Sequence, residues 1–267
     1  MESLKVEDTR SALTILSHIV IYQFFWFGLW FAVIRASKAN KLVCDDTKNR
    51  AVSIVHGLGS FFMSAIDLMI LRPEISAPNS IFETNALIFS VSYFIYDTIS
   101  CYIINMCDKD LIIHHSITCS GLGWSLFTGA GGPYAYYGVF ITEISNFPMH
   151  IRKILMNIKR RNTQAFEVSE TLYFVLYIIS RGLAGPYLLY ISVLNFRIVP
   201  IPLIVVCALL LVQSLLFIKT MIKIVEKKIK NQNERKAKGV ELFWLSVNPQ
   251  ISKLEYIKNK QTQDKIF

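Results

Sequence analysis

Charged residues are scarce in this chain, and acidic ones are the scarcest. Of its 267 residues only 18% are Asp, Glu, Lys or Arg, whereas 53% are hydrophobic and the mean hydropathy is +0.41. A soluble domain of this length rarely averages so apolar, so the composition argues against an ordinary globular protein and indicates a membrane protein.

Cysteine and histidine are also few, with five of each. The cysteines show no spacing typical of a zinc site or a disulfide framework, and the chain contains no His-Glu-x-x-His motif. Five histidines with a single adjacent pair are too few for the clustered motifs of a di-iron hydroxylase or desaturase. We therefore expect no metal site and no bound cofactor.

Apolar segments, in contrast, are abundant and long enough to cross a bilayer. The first is too long and too aromatic for a signal peptide, and the fourth and fifth are the weakest because they are short and hold polar residues. Together they predict an all-α, polytopic transmembrane helical bundle of about seven helices, at about Leu13–Ile34, Ala51–Leu71, Asn85–Ile104, Leu111–Phe127, Tyr134–His150, Leu172–Leu194 and Val199–Ile218.

The basic residues give this bundle an orientation. With seven spans, 23 of the 28 Lys and Arg fall on one side and four on the other. The positive-inside rule then places the N-terminus in the lumen or outside and the C-terminus in the cytosol. Twelve of the basic residues follow Ile218, so the net charge of +9 reflects membrane topology and anionic headgroups, and we expect no nucleic-acid partner.

Eight ionisable residues interrupt the apolar segments. A charge at a helix centre costs roughly 2.5 to 3.5 kcal/mol on insertion scales, so such residues need partners and point to function. All except Asp67 are predicted in the middle or the cytosolic half of the membrane. An ion pair between Asp97 and Arg181 that only locks two helices together is the structural alternative. The eight residues are His56, Asp67, Asp97, His114, His115, Glu143, His150 and Arg181.

The adjacent pair His114 and His115 is the most unusual of these features. Neighbouring residues on an α-helix point about 100° apart, so the two rings cannot do the same job. One is expected to face a cavity, and the other to pack against a neighbouring helix.

Five stretches occur in an order that carries a resemblance: RAVSIVHGLGS, SYFIYDTI, DLIIHHSIT, TEISNFPMHIRKIL and FVLYIISR. This ordered set resembles the TLC-domain membrane proteins, the family that includes ceramide synthases and translocating-chain-associating proteins, and most resembles the small TLC-domain-containing proteins, the fourth type among them. The resemblance implies a six-helix core, the TLC domain, at 50–225, preceded by one N-terminal helix within 1–49. The polar and basic composition of 226–267 predicts a cytosolic tail that lies on the membrane surface or is disordered.

The resemblance also implies a role with lipids. In ceramide synthases the matching histidine pair and downstream aspartates line the site of acyl transfer from coenzyme A to a sphingoid amine. Here the following helix has Glu143 as its only acid, and this departure argues against ceramide synthesis itself.

Three functional hypotheses follow. The first is a protein of lipid homeostasis that binds, senses or redistributes a membrane lipid, in the endoplasmic reticulum or another endomembrane. The second is an acyltransferase with acyl-coenzyme A as co-substrate, in which His114, His115 and Asp97 are the catalytic candidates. The third is a seven-helix receptor or transporter, which the short loops and the lack of a repeat disfavour. The substrate-binding candidates are His56, Glu143, Asn146, Tyr177 and Arg181. Oligomeric state stays open, with a homodimer among the alternatives.

Overall fold

A computed structural model describes residues 11–37, 43–106 and 109–251, and within these ranges the regular structure is helical. The helices are α1 (Ala12–Ser37), α2 (Asp45–Ile66), α3 (Ile81–Ile103), α4 (Lys109–Thr128), α5 (Gly132–Asn157), α6 (Gln164–Tyr177), α7 (Gly185–Leu194) and α8 (Ile201–Ala237). Two π-helical segments, Asp67–Leu71 and Ile178–Ala184, extend α2 and join α6 to α7. The predicted all-α bundle is confirmed.

Each predicted span coincides with one helix or one continuous helical rod. Five of them are long and apolar enough to cross a membrane: α1, α2 with its π-helical extension, α3, the α6–α7 rod and α8. α4 and α5, which carry most of the polar candidates, are not among the five. Their polar side chains lower the mean hydropathy below what lipid contact alone would favour.

The second helix begins earlier than the sequence pattern predicts. α2 starts at Asp45 rather than near Ala51, with Asp45 and Asp46 in its first turn, where acidic side chains favour the helix dipole. The extra turn buries Asn49, which is 4% exposed. This polar residue therefore lies inside the bundle and not in a loop.

The N-terminal helix packs on the bundle through Trp26 of α1. Its ring is fully buried, and its indole nitrogen donates to Ser92 Oγ of α3 at 3.1 Å. Gln23, one turn earlier, donates to the Ser92 carbonyl at 2.7 Å. These two bonds fix α1 against α3 at a defined rotation.

Close helix contact places α4 against α8. A Cβ added at Gly121 of α4 would lie 2.8 Å from Val206 Cγ1 of α8. Small residues of this kind let membrane helices approach closely. The contact brings the histidine pair of α4 within reach of α8.

The helix termini are capped in the ways the sequence favours. Ser80 and Glu83 form a capping box at the start of α3, and the Thr163 hydroxyl accepts from the Phe166 amide at the start of α6. Each cap satisfies amides that the first helical turn leaves without a partner.

Over residues 226–251 of the predicted basic tail the structure shows regular contacts in place of the disordered alternative. α8 continues as a helix to Ala237, and the chain then folds back so that the Phe243 and Trp244 carbonyls accept from the Gln164 and Ala165 amides. This return segment supplies acceptors to the first amides of α6, and the placement of the tail on the membrane surface stays a prediction. Residues 252–267 lie outside the described ranges.

Candidate functional site

A cavity of about 970 Å³, part of it open to the outside, lies between α2, α3, α4, α5, α7 and α8 and the π-helical segment before α7. We call it the main cavity. On α5 its lining lies between Tyr134 and Asn146, twelve helical steps that span about 18 Å of helix. Its walls are apolar toward one end, with Leu122, Ala135, Leu188, Leu203 and Val206, and polar toward the other.

Among the described residues, Arg181 is the only arginine or lysine that lines the main cavity, and it lies at the polar end. Arg181 is 8% exposed. Its Nη2 donates to the Asn146 side-chain oxygen at 3.1 Å and to the Thr142 carbonyl at 3.3 Å. The guanidinium carbon lies 5.0 Å from the centre of the Tyr177 ring. None of the ion pairs among the described residues includes Arg181.

Its backbone is unusual as well. Arg181 lies in the π-helical segment Ile178–Ala184, and π-helical turns occur mainly as single inserted turns, frequently at functional sites. The Nε atom of Arg181 is buried and has no hydrogen-bond partner among the described residues. The cation is thus held by neutral groups and is incompletely hydrogen-bonded.

Glu143 and Asn146 of α5 bring an acid next to this cation's contacts. The Glu143 carboxylate accepts from the Asn146 amide nitrogen at 3.0 Å, while the Asn146 side-chain oxygen accepts from Arg181. Asn146 therefore bridges an acid and a base that form no direct ion pair. Gly57 of α2 allows this approach, because a Cβ there would lie 3.0 Å from Glu143 Oε2.

His114 is the histidine of the pair that lines the main cavity. Its Nδ1 lies 3.1 Å from Gln213 Oε1, and Gln213 Nε2 donates to the Asp110 carbonyl at 3.0 Å. Because that second bond fixes which end of the Gln213 amide faces the ring, Nδ1 carries the proton. The neutral ring then has a lone pair at Nε2, which can accept a proton or a hydrogen bond.

His56 lines the cavity from α2. Its ring stacks on Tyr93 with a centroid distance of 3.8 Å and an interplanar angle of 6°. Its Nε2 lies 2.9 Å from Ser60 Oγ on the same helix. These contacts fix the ring and leave its position in the wall well defined.

His115 and Asp97 do not line the main cavity. His115 Nε2 lies 3.5 Å from Asp97 Oδ2, and its Nδ1 lies 2.9 Å from Thr98 Oγ1. Both residues are 6% exposed and belong to the contact between α3 and α4. Asp97 is hydrogen-bonded to Asn49 at 2.6 Å, and the ion pairs among the described residues do not join Asp97 to Arg181, so that alternative is wrong.

The remaining predicted residues are spread over three places. Tyr177 contributes through its ring beneath Arg181. His150 lies away from the main cavity, with Nδ1 at 3.4 Å from Arg50 Nη1. Asp67 begins the first π-helical segment, fully buried, and its carboxylate oxygens have no hydrogen-bond partner among the described residues.

Sequence reasoning missed Asn49, which organises a polar cluster between α2, α3 and α4. Its side-chain oxygen accepts from Tyr96 at 2.8 Å and from Ser100 at 2.9 Å. We call the set Asn49, Tyr96, Asp97, Ser100 and His115 the Asn49 network. The sequence did contain a pattern that indicates a polar face of α2 directed into the bundle. Polar residues recur there every three or four positions, and all are buried: Asn49, Ser53, His56, Ser60 and Ser64.

Comparison with known protein families gives one match, and it covers most of the bundle. Residues 46–225 match the model of the TLC domain. The chain belongs to the TLC-domain family. The match begins at the first turn of α2 and ends within α8, so α1 lies outside the TLC domain and the whole main cavity lies inside it. Together with the apolar helices, it shows a multi-pass integral membrane protein, and the TLC domain indicates a lipid-related function.

No curated protein and no solved structure matches the chain. The resemblance to the fourth type of small TLC-domain-containing protein stays a prediction.

Proposed function

We propose that this TLC-domain protein binds a single membrane lipid in the main cavity and thereby senses or redistributes it. The acyl chain occupies the apolar end, and an anionic headgroup contacts Arg181 at the polar end. The observation that carries the proposal is a buried arginine without a carboxylate partner among the described residues, at one end of an otherwise apolar cavity.

The energetics support an anionic group there. A buried charge is costly unless it is paired and hydrogen-bonded. Two hydrogen bonds to neutral oxygens and the face of Tyr177 offset part of that cost for Arg181. A phosphate or carboxylate group would supply the missing charge and would accept from the guanidinium in the bidentate geometry that arginine favours.

The length of the cavity supports a chain-bearing ligand. Its lining covers about 18 Å of α5 and turns from Asn146 and Glu143 to Ala135 and Tyr134 along that helix. Such a gradient suits an amphiphile with one polar end. With the orientation that the basic loops predict, the polar end lies toward the cytosolic leaflet of an endomembrane.

Native mass spectrometry of the protein released from nanodiscs tests this proposal. Wild-type protein is expected to retain an anionic lipid, and Arg181→Gln to lose it by about tenfold or more, since a hydrogen bond to a charged group is worth about 1.5 to 3 kcal/mol. The matched control is Arg197→Gln, which removes an arginine between α7 and α8, outside the cavity lining. Equal lipid retention by wild type and Arg181→Gln would refute the headgroup role.

Acyl transfer is the second candidate, and the unprotonated Nε2 of His114 favours it. The nitrogen or oxygen of an amine or hydroxyl acceptor would attack the thioester carbonyl of acyl-coenzyme A while His114 takes its proton. His114 would then give that proton to the departing sulfur, so that coenzyme A leaves as the thiol. His115 and Asp97 would act only by supporting α4 from outside the cavity. Incubation with labelled acyl-coenzyme A and a panel of lipid acceptors tests this: His114→Ala should abolish a product that wild type makes.

A further inference from the structure

A second cavity, partly open to the outside and of about 520 Å³, lies between α2, α5, α6 and α8. Three of its eight lining residues are cations and three are aromatic. None of these residues lines the main cavity. We call it the basic cavity, and its lining is Arg50, Met149, Arg152, Lys153, Tyr173, Phe174, Phe217 and Ile224.

The cations around the basic cavity outnumber the acids that pair with them. Asp46 is shared by Arg50 at 2.9 Å and Lys153 at 3.9 Å. Glu170 is shared by Arg152 at 2.9 Å and Lys228 at 3.4 Å.

Among the described residues, two carboxylates therefore serve four cations, three of which line the basic cavity, and this leaves an excess of two positive charges. The next acid along α6, Glu167, does not reduce this excess, because it is paired with Arg235 at 2.7 Å.

The surroundings strengthen this charge. Tyr173 and Phe174 are 3% and 6% exposed and form an apolar wall. Charges next to such a wall interact more strongly than in water, because the local dielectric constant is lower. Lys153 is the most available of the four cations, since its side chain is 33% exposed and its carboxylate contact is the longest.

We propose that the basic cavity binds a phosphate monoester group, carried by a lipid of the membrane leaflet on that side. A phosphate monoester carries about 1.5 to 2 negative charges at neutral pH and three acceptor oxygens, which matches the excess of two cations. A phosphodiester carries one charge and fits less well. The aromatic wall suits the apolar part of a lipid next to its phosphate, and the site is independent of Arg181.

Binding to nanodiscs of phosphatidylcholine doped with either phosphatidic acid, a monoester, or phosphatidylglycerol, a diester, tests the proposal. Native mass spectrometry counts the retained lipids. Wild type is expected to prefer phosphatidic acid, and Lys153→Gln to weaken that binding about fivefold, as expected for one basic residue at an anionic headgroup. Lys153→Arg should restore it.

The matched control is Lys48→Gln, which removes a lysine from the same end of the bundle. Lys48 is paired with Asp45 at 2.7 Å and does not line the basic cavity. Equal weakening by Lys48→Gln and Lys153→Gln, or no preference for phosphatidic acid, would overturn the proposal by showing a diffuse surface effect.

Two further arms identify the source of the phosphate and separate this site from the main cavity. Displacement of phosphatidic acid by inorganic phosphate would support a monoester site open to soluble phosphates, and its absence would support a lipid headgroup. Arg181→Gln should leave the Lys153-dependent preference intact. Loss of that preference in Arg181→Gln would overturn the inference of a separate site.

Discussion

The Asn49 network and the polar end of the main cavity are both buried and rich in polar groups, but they differ in how completely those groups are bonded. Asn49 accepts from Tyr96 and Ser100 and donates to Asp97. Arg181 reaches only neutral oxygens and keeps an unbonded nitrogen among the described residues. Burial of a polar residue alone therefore does not mark a ligand site; an incompletely bonded charge in a cavity is the stronger sign.

The strongest way to break this comparison is to remove the centre of the satisfied network. Asn49→Leu leaves the Asp97 carboxylate and the Tyr96 and Ser100 hydroxyls without their shared partner. We expect a loss of roughly 2 kcal/mol or more in the free energy of unfolding, because buried polar groups would lose their bonds. Thermal unfolding of the purified protein measures this loss, with the decrease of the monodisperse size-exclusion peak as the readout.

Asn195→Leu is the matched control for that change. Asn195 is exposed and donates only to the Ile191 carbonyl of its own helix at 2.8 Å. Its replacement should alter the stability by less than about 0.5 kcal/mol. Similar losses in the two variants would remove the special status of the Asn49 network.

The histidine pair gives an intermediate effect that separates the two regions within one helix. His115→Ala should lower stability by about 1 to 2 kcal/mol, since His115 is 6% exposed and contacts Asp97 and Thr98. His114→Ala should cost less than about 1 kcal/mol, because one bond to Gln213 is lost at a cavity wall. Lipid retention should show the reverse order, with a larger loss for His114→Ala than for His115→Ala.

The two measurements, thermal unfolding and native mass spectrometry, are made on the same four samples: wild type, each single variant and the double variant. A drop in lipid retention for His115→Ala at unchanged stability would show that His115, and not His114, faces the ligand.

A small expected effect sharpens the comparison at the cavity wall. Gly57→Ala places a Cβ 3.0 Å from Glu143 Oε2, so the carboxylate must move and its bond to Asn146 weakens. We expect a loss of about 1 kcal/mol in stability together with altered lipid retention. Gly123→Ala is the control, since nothing lies within 4 Å of its added Cβ.

Because alanine is the better helix former, Gly123→Ala should raise stability by about 0.5 to 1 kcal/mol. Stabilisation by both variants would mean that Gly57 is not needed for the approach of α2 to α5.

Much of the fold was predictable, because each span depends on a local property of the sequence. Apolar length predicts the five long apolar spans, the shorter apolar segments predict α4 and α5, and Ser80 with Glu83 predicts the start of α3. The start of α2 was missed because DDTKNR reads as a charged loop. Burial of its first turns depends on side chains supplied by α3, which no local pattern contains.

The sequence predicted which residues form the candidate site, but not how their side chains are arranged around it. The depth of His56, His114, Glu143 and Arg181 along their helices follows from counting residues, and the four do line one cavity. Which histidine faces inward depends on the rotation of α4, which Gln213 of α8 and Thr98 of α3 determine across the bundle. The partner of Asp97 was unpredictable for the same reason.

The π-helical segment Ile178–Ala184 affects how this chain corresponds to its relatives. A π-helical turn holds one residue more than the α-helical turn that it replaces. A TLC-domain sequence with an uninterrupted α-helix here would need one residue fewer between Tyr177 and Gly185 to keep both flanks in step. A gap-free pairing of two such sequences would match Arg181 with the wrong neighbour and hide its counterpart.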